Sequence, residues 1–283
     1  MSLPRSRSVV VTGASTGIGR ATVAALVAKG MHVWPTVRRE ADADGLRDEF
    51  GAAVTPLLAD LTDDAAVAAA GKKVCAAGPL HGLVNNAGAA LTGPLEHLPL
   101  DVLRRQLDIN LVGQLAVTQA MLPALRVARG RGERARIVMI GSVGGRIASP
   151  MIGPYHAAKF GLAGLSGSLR AELAPWGIGV VLLEPGSIAT PIWDRALRSA
   201  DEVFAAMPPE AQRYEKQVRA ARADAERTAA RGIPPARVAE VVVRSLTRRN
   251  PAPRRMIGRD AQLVGVLTRL LPHRAIFRLT AAR

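Results

Sequence analysis

A chain of 283 residues can bury a full hydrophobic core yet sits near the upper limit of what one core serves, so a single domain is the first expectation. Its one cysteine, Cys75, excludes a disulfide-stapled scaffold and points to a reducing, cytoplasmic setting; no basic leader precedes an apolar segment, and no apolar run reaches the roughly 18 residues of a membrane span. Much of the net charge of +15 is gathered late, between Arg244 and Arg283, with no finger, zipper or aromatic-on-strand pattern beside it, so no nucleic-acid partner is expected.

In chain order, Ser8–Val11 reads as a short apolar strand entering the turn Thr12-Gly13-Ala14-Ser15-Thr16-Gly17-Ile18-Gly19. An alanine-rich helix follows to Lys29, where Gly30 stops it. A second strand is expected over 31–36, a charged helix over Glu40–Phe50, and a third strand over 53–58 leading to Asp60. Pro35 removes a ladder donor and predicts that the second strand leaves the sheet early. Thr62-Asp63-Asp64 opens another helix, and Leu83-Val84 begins a fourth strand that ends in Asn85-Asn86-Ala87-Gly88. Apolar residues at helical spacing predict a long helix over 100–125 with an irregular end at Pro123. A fifth strand (Arg136–Ile140), a helix over 155–173, a sixth strand over 178–183 and an edge strand at Met256-Ile257 complete the pattern. Strands separated by long helices require crossovers, so the expected fold is α/β: one doubly wound, mostly parallel sheet with helices on both faces.

Between 191 and 232 the alternation lapses into a charged helical segment carrying Trp193, Phe204, Met207 and Tyr214, where an open α/β sheet places a ligand lid. Residues 1–258 read as one domain including this lid, and 259–283 as a basic amphipathic extension with Leu263, Val266, Leu267, Leu270 and Leu271 at helical spacing. That apolar row is read as packing on the parent domain or a partner subunit, with an anionic membrane surface as the lesser alternative.

The glycine-bearing turn has the chemistry of a dinucleotide site. Gly13 lets the chain turn sharply, and Gly17 and Gly19 admit a pyrophosphate and neighbouring backbone without a Cβ in the way. The helix that starts there offers free amides and its positive dipole end to phosphates. At the end of the second strand, a carboxylate would bind the adenosine ribose hydroxyls; this chain has Arg38 and Arg39 instead. A guanidinium pairs with a 2′-phosphate, so NADP(H) is favoured over NAD(H). Asp60 and Leu61 are placed to hold the adenine side, and Asn86-Ala87-Gly88 to let the backbone pass the ribose.

Tyr155 and Lys159 share one helix face, which sets a phenol beside an ammonium. The ammonium and a positive nicotinamide ring are expected to lower the phenol pKa and make Tyr155 an acid/base. Lys159 is also expected to bind the nicotinamide ribose, and Ser142 to orient the substrate oxygen toward Tyr155. Asn110, an amide inside the long helix, reads as holding a water that links Lys159 to solvent.

At these residues the chain resembles the short-chain dehydrogenase/reductase family, whose glycine signature appears at residues 12–19, strand-four motif at Asn85-Asn86-Ala87-Gly88, and catalytic set as Asn110, Ser142, Tyr155 and Lys159. The family's later motif appears as Pro185-Gly186 with Thr190 following. The resemblance implies a Rossmann-type fold, backbone bonds from Ile188 and a side-chain bond from Thr190 to the cofactor carboxamide, and a homodimer or homotetramer. Trp34-Pro35-Thr36-Val37-Arg38-Arg39, Gly93-Pro94-Leu95-Glu96 and Gly141-Ser142-Val143-Gly144-Gly145-Arg146 look like the branch of retinol, hydroxysteroid and 3-hydroxybutyrate dehydrogenases. An expected pocket wall of Ala148, Met151, Ile152, Trp193 and Phe204 favours a bulky, apolar alcohol or ketone.

Other classes compete with this reading. A cofactor-binding regulator without turnover is disfavoured by the intact reactive set; a nucleic-acid or membrane-surface binder would rest on the tail alone; dehydration or epimerisation could run on the same scaffold. No metal is called for, since His32, His81, His97, His156 and His273 are scattered, and His156 leaves the helix on another side than Tyr155.

Overall fold

Alternation of buried side chains along seven short strands sets the architecture. The computed structural model describes residues 7–281; residues 1–6, 282 and 283, including Arg283 of the basic tail, lie outside the described residues. The strands β1 (Ser8–Val11), β2 (His32–Val37), β3 (Leu57–Leu58), β4 (Gly82–Asn85), β5 (Arg136–Ile140), β6 (Gly179–Pro185) and β7 (Arg254–Ile257) form one sheet. Its order is β3-β2-β1-β4-β5-β6-β7, and every pairing is parallel.

Successive residues of one strand feed opposite cores. Val9 and Val11 of β1, Val138 and Ile140 of β5, and Val181 and Leu183 of β6 face a layer built from α1 (Gly17–Val27), α2 (Glu40–Phe50) and α9 (Pro235–Thr247). Val10, Ile137, Met139, Val180 and Leu182 face α3 (Asp64–Ala77), α5 (Gly113–Gly130) and α6 (Gly153–Leu173). Burial on both faces is what a parallel sheet with crossover helices requires.

Several local expectations are corrected. β2 does not leave the sheet at Pro35, which pairs with Val11 while the strand runs on to Val37. Even-numbered β2 residues bond toward β1 (His32 N to Arg7 O, Ala14 N to Thr36 O), and odd-numbered ones toward β3 (Thr55 N to Val33 O, Ala59 N to Val37 O). The missing N–H of Pro35 therefore faces the β3 side, where the pairing is interrupted between the Val54 bridge and Leu57, and the ladder to β1 stays whole. β3 itself shrinks to Leu57–Leu58 plus a bridge at Val54, because Gly51–Ala53 wind into a 3₁₀ turn.

The long helix begins with α4 (Leu100–Leu107), passes through a π turn at Asp108–Val112, and continues as α5 past Pro123 to Gly130. Pro123 lies on the solvent face, so the carbonyl it leaves without a donor faces water and the helix does not end there. Leu100–Gly130 is long and apolar enough to match a membrane span in composition, but Val117, Met121, Ala124 and Leu125 are spent in the core.

Within 191–232 the chain forms α7 (Ile192–Ala205) and α8 (Glu215–Arg231). The two ends of this segment are fastened together: Ile188 and Ile233 form a parallel bridge, with Ala189 N bonded to Ile233 O and Ile233 N to Ser187 O. After β7 come α10 (Arg259–Leu270) and α11 (His273–Ala281). Ala261 is buried and Asp260 accepts from Ser187 N at 2.6 Å, so α10 is anchored to the loop after β6. Leu263, Val266 and Leu270 of the predicted apolar row are exposed, as is Phe277.

Candidate active site

The strand order reverses between β1 and β4, and at that switch point the carboxyl ends of an open α/β sheet form a crevice. Here the two loops nearly touch. A Cβ on Gly13 (φ 64°) would lie 2.7 Å from the Ala87 Cα. Thr12 Oγ1 accepts from the Asn86 and Ala87 amides at 2.8 and 2.9 Å, and Asn86 Nδ2 donates to the Thr12 and Gly13 carbonyls at 2.8 and 3.1 Å. Thr12 thus joins the site as a brace that the glycine pattern alone did not single out.

The crevice opens into a cleft of about 520 Å³. Gly13, Ser15, Thr16, Gly17, Ile18, Arg38, Asp60, Leu61, Asn86, Ala87 and Gly88 line one end; Asn110, Ser142, Tyr155, Lys159, Pro185, Gly186, Ile188, Thr190 and Trp193 also line it. Gly19 does not: its missing Cβ leaves room for the Gly13 carbonyl, 2.1 Å from where that carbon would be. α1 starts in the cleft with no side-chain cap and no acid in its first turn, which leaves its dipole and leading amides for an anion. Uncapped amides beside the Arg38 guanidinium at one end of the cleft fit the phosphates of a dinucleotide.

The pair of arginines divides. Arg38 lines the cleft, 3.9 Å from the Asp60 carboxylate. Arg39 is turned out of it, gripped from Nε and Nη2 by both oxygens of Asp42 at 2.9 Å. The expectation that Arg39 faces the cofactor is corrected by this pairing, since Asp42 in the first turn of α2 captures it. Burial opposes the Asp60 charge, but the Thr62 amide and hydroxyl and the fields of Arg38 and Arg105 hold its carboxyl below the usual range.

At the other end, three buried amides one helical turn apart grip the loop after β4. Gln106 accepts from Leu91 N at 2.7 Å and donates to Ala89 O at 3.0 Å; Asn110 accepts from Ala89 N and donates to Ala89 O, both at 2.9 Å; Gln114 donates to Ala87 O. Asn110 sits in the π turn, a device common at functional positions. Its side-chain amide keeps one N–H and one lone pair beyond the Ala89 bonds. Gln106 and Gln114 were readable from their spacing about Asn110, and sequence reasoning passed over them.

Ser142 Oγ accepts from Gly144 N at 3.0 Å, which leaves its hydroxyl proton for Tyr155. Desolvation raises the Tyr155 phenol above its ordinary value, and the bond from Ser142 opposes the rise. The expected depression by Lys159 does not appear: its Nζ, 5.7 Å from the Tyr155 ring centroid, donates to Ile140 O at 2.9 Å. Burial pushes the Lys159 ammonium down to about 8. His156 takes no place in the cleft; Nδ1 pairs with Gly144 O at 2.8 Å and Nε2 accepts from Ser149 N at 3.0 Å, fixing the loop that carries Ser142. Behind that loop Glu184, 1% exposed, accepts from Arg146 at 2.8–3.0 Å and from Arg254 at 2.5 and 2.7 Å.

The expected pocket wall is only partly assembled. Trp193 lines the cleft, its Nε1 bonded to Ile188 O at 2.9 Å. Ala148, Met151, Ile152 and Phe204 are not among the lining residues. Met151 (φ 69°) instead turns its carbonyl to Gly93 N, and Phe204 packs with Leu98, Met207 and Ala211 under the lid. The α7 register, not visible in sequence, brings Pro191, Ile192 and Arg195 to the cleft in their place.

The family model for short chain dehydrogenases matches residues 7–201. An NADPH-dependent 3-dehydrocapnine reductase of Ornithobacterium rhinotracheale is 37% identical over 193 residues, covering 67% of this chain and 68% of that protein. Retinol dehydrogenase 5 of Mus musculus is 34% identical over an alignment of 295 residues, covering 97% and 88%. The crystal structure of a short-chain dehydrogenase from Streptomyces avermitilis matches with a TM-score of 0.79 at 27% identity, covering 98% of this chain and 97% of that one.

Proposed function

Because this chain belongs to the short-chain dehydrogenase family, and is an NAD(P)-dependent oxidoreductase of alcohol and carbonyl groups, we propose that it interconverts a bulky apolar alcohol and its ketone or aldehyde with NADP(H), using Tyr155 as the acid/base. The observation that carries the reading is one cleft holding uncapped α1 amides and Arg38 at one end and Ser142, Tyr155 and Lys159 at the other.

When bound, the cofactor supplies or accepts the hydride. In reduction, Tyr155 holds a proton at Oη and gives it to the substrate oxygen; in oxidation it takes that proton back. Ser142 donates to the same oxygen and stabilises its developing charge. Lys159 binds the nicotinamide ribose as an ammonium and returns a proton to Tyr155, and regains its own from solvent through a water that the remaining polar atoms of the Asn110 amide would hold. Leu91, Ile192 and Trp193 give the substrate side an apolar lining. A homodimer or homotetramer in a cytoplasmic, reducing setting completes the proposal, the latter supported by the lone thiol Cys75.

A paired NADPH and NADH screen over retinoids, steroids, aromatic ketones and short hydroxy acids tests the reading. Retinoid- or steroid-sized substrates with NADPH should exceed short acids in kcat/KM by about tenfold or more, as an apolar pocket discriminates by filling. Fastest turnover of a short charged acid would remove the apolar-substrate assignment.

A second expectation concerns pH. Since Lys159 loses its proton as pH rises through about 8, kcat/KM for the cofactor, which reports the free protein, should fall above that value with a one-proton slope. The same profile in Lys159→Gln should lack this limb; a wild-type profile flat across the alkaline range would count against the ribose role.

A further inference from the structure

The lid contributes a cation to the nucleotide end of the cleft. Arg195, one turn into α7, lines the cleft and reaches across it to the glycine-bearing turn, where Nη2 donates to Thr16 Oγ1 at 3.4 Å. That bond is long for a guanidinium donor, and Thr16 is neutral. Among the described residues Arg195 forms no ion pair with a carboxylate, unlike Arg39, which is committed to Asp42.

Its charge is also felt at the start of α2. The Asp42 carboxyl is held below its ordinary value by Arg39 foremost, against the opposing effect of burial, and then by the fields of Arg195 and Arg38. Arg195 and Arg38 therefore both act on the first turn of α2, just after β2, which is where a doubly wound fold delivers the adenosine ribose. With Arg39 turned outward, Arg38 lacks a neighbouring cation from its own strand end.

We infer that Arg195 is the second guanidinium for the adenosine 2′-phosphate, brought from the lid to face Arg38 across the cleft. The inference rests on the NADP(H) reading and deepens it. A dianionic phosphate accepts charge-assisted bonds from two guanidinium groups and from the Ser15 and Thr16 hydroxyls between them. Binding of that phosphate then draws α7 down on the glycine-bearing turn, so cofactor choice and lid closure are coupled through one side chain.

The test is calorimetric titration of the full chain with adenosine 2′,5′-bisphosphate, which carries the 2′-phosphate, and with ADP, which carries only the diphosphate. The Arg195→Ala variant should bind the bisphosphate about tenfold more weakly and ADP unchanged, with Arg195→Lys recovering part of the loss. Arg38→Ala should show the same selectivity. Equal weakening toward both ligands would place Arg195 on the 5′-phosphate that both carry and overturn the inference, as would no change toward either. Discrimination of bisphosphate from AMP, titrated as a third ligand, by the wild type reports the NADP(H) reading itself. If that discrimination is absent, the reading fails and the inference with it; if it is present and fully retained in Arg195→Ala, the inference alone fails.

Discussion

Tyr155→Phe is expected to lower turnover about 10³-fold, with the fold and cofactor affinity retained, because it removes one oxygen and nothing else. That loss corresponds to about 4 kcal/mol of transition-state stabilisation. The phenyl ring preserves the contacts under the Gly144-Gly145 loop, where a Cβ on Gly144 would already approach the Tyr155 ring to 3.2 Å. What disappears is the group that receives the Ser142 hydroxyl and that burial keeps protonated. Single-turnover reduction followed by nicotinamide absorbance, beside quenching of protein fluorescence by cofactor, separates the proton step from binding. Reduction at the parental rate would sink the acid/base assignment.

The largest expected effect on stability comes from Glu184. Its carboxylate is buried between Arg146, on the loop after Ser142, and Arg254, on the edge strand β7. Removing the carboxylate strands Arg146, 16% exposed, without its ion partner, while Arg254, 42% exposed, turns to water, so the loss falls at the lower end for a buried pair, about 3 kcal/mol. For a chain of this size Glu184→Ala should lower the melting temperature by roughly 10 °C. Burial opposes the charge, but Arg254 and Arg146 hold the carboxyl below its ordinary value. A carboxyl depressed in the folded state contributes stability that is complete above its unfolded pKa and is lost as pH falls through the folded one. The gap between wild type and Glu184→Gln should therefore narrow as pH drops below about 4. A melting temperature unchanged at neutral pH in Glu184→Ala would mean the network contributes nothing net. Because Arg146 follows Ser142 on the same loop, the variant should also turn over more slowly.

What the sequence disclosed was what depends on neighbours along the chain. The glycine-bearing turn, the Tyr155–Lys159 spacing and the end of α2 are local patterns, and the structure places them as expected. Arg39 pairs in this structure with Asp42, three residues on, a helix-start contact that strand-end logic does not anticipate. Pro35 misled for the opposite reason: whether a missing donor matters depends on which neighbour it faces, and β3 is distant in sequence. The sequence puts Ala148, Met151, Ile152 and Phe204 on the expected pocket wall, but the turn at Met151 and the register of α7 direct them elsewhere. Arg195 could not be found without the fold, since its contact with Thr16 spans most of the domain.

The amide ladder of Gln106, Asn110 and Gln114 has a consequence for how the cleft moves. Residues 87–91 belong to no helix or strand, yet their backbone is bonded to a helix that is itself packed into the sheet. Such a segment opens only by breaking several buried hydrogen bonds at once, which costs far more than opening an ordinary surface loop. On the opposite side α8 has no buried residue and α7 has Ala196 alone. The cleft thus has one wall tied into the core and one that rests on a small cluster of Val203, Phe204 and Met207 against Leu98, so the floor under the reactive groups keeps its shape while the lid side has far less buried contact to break.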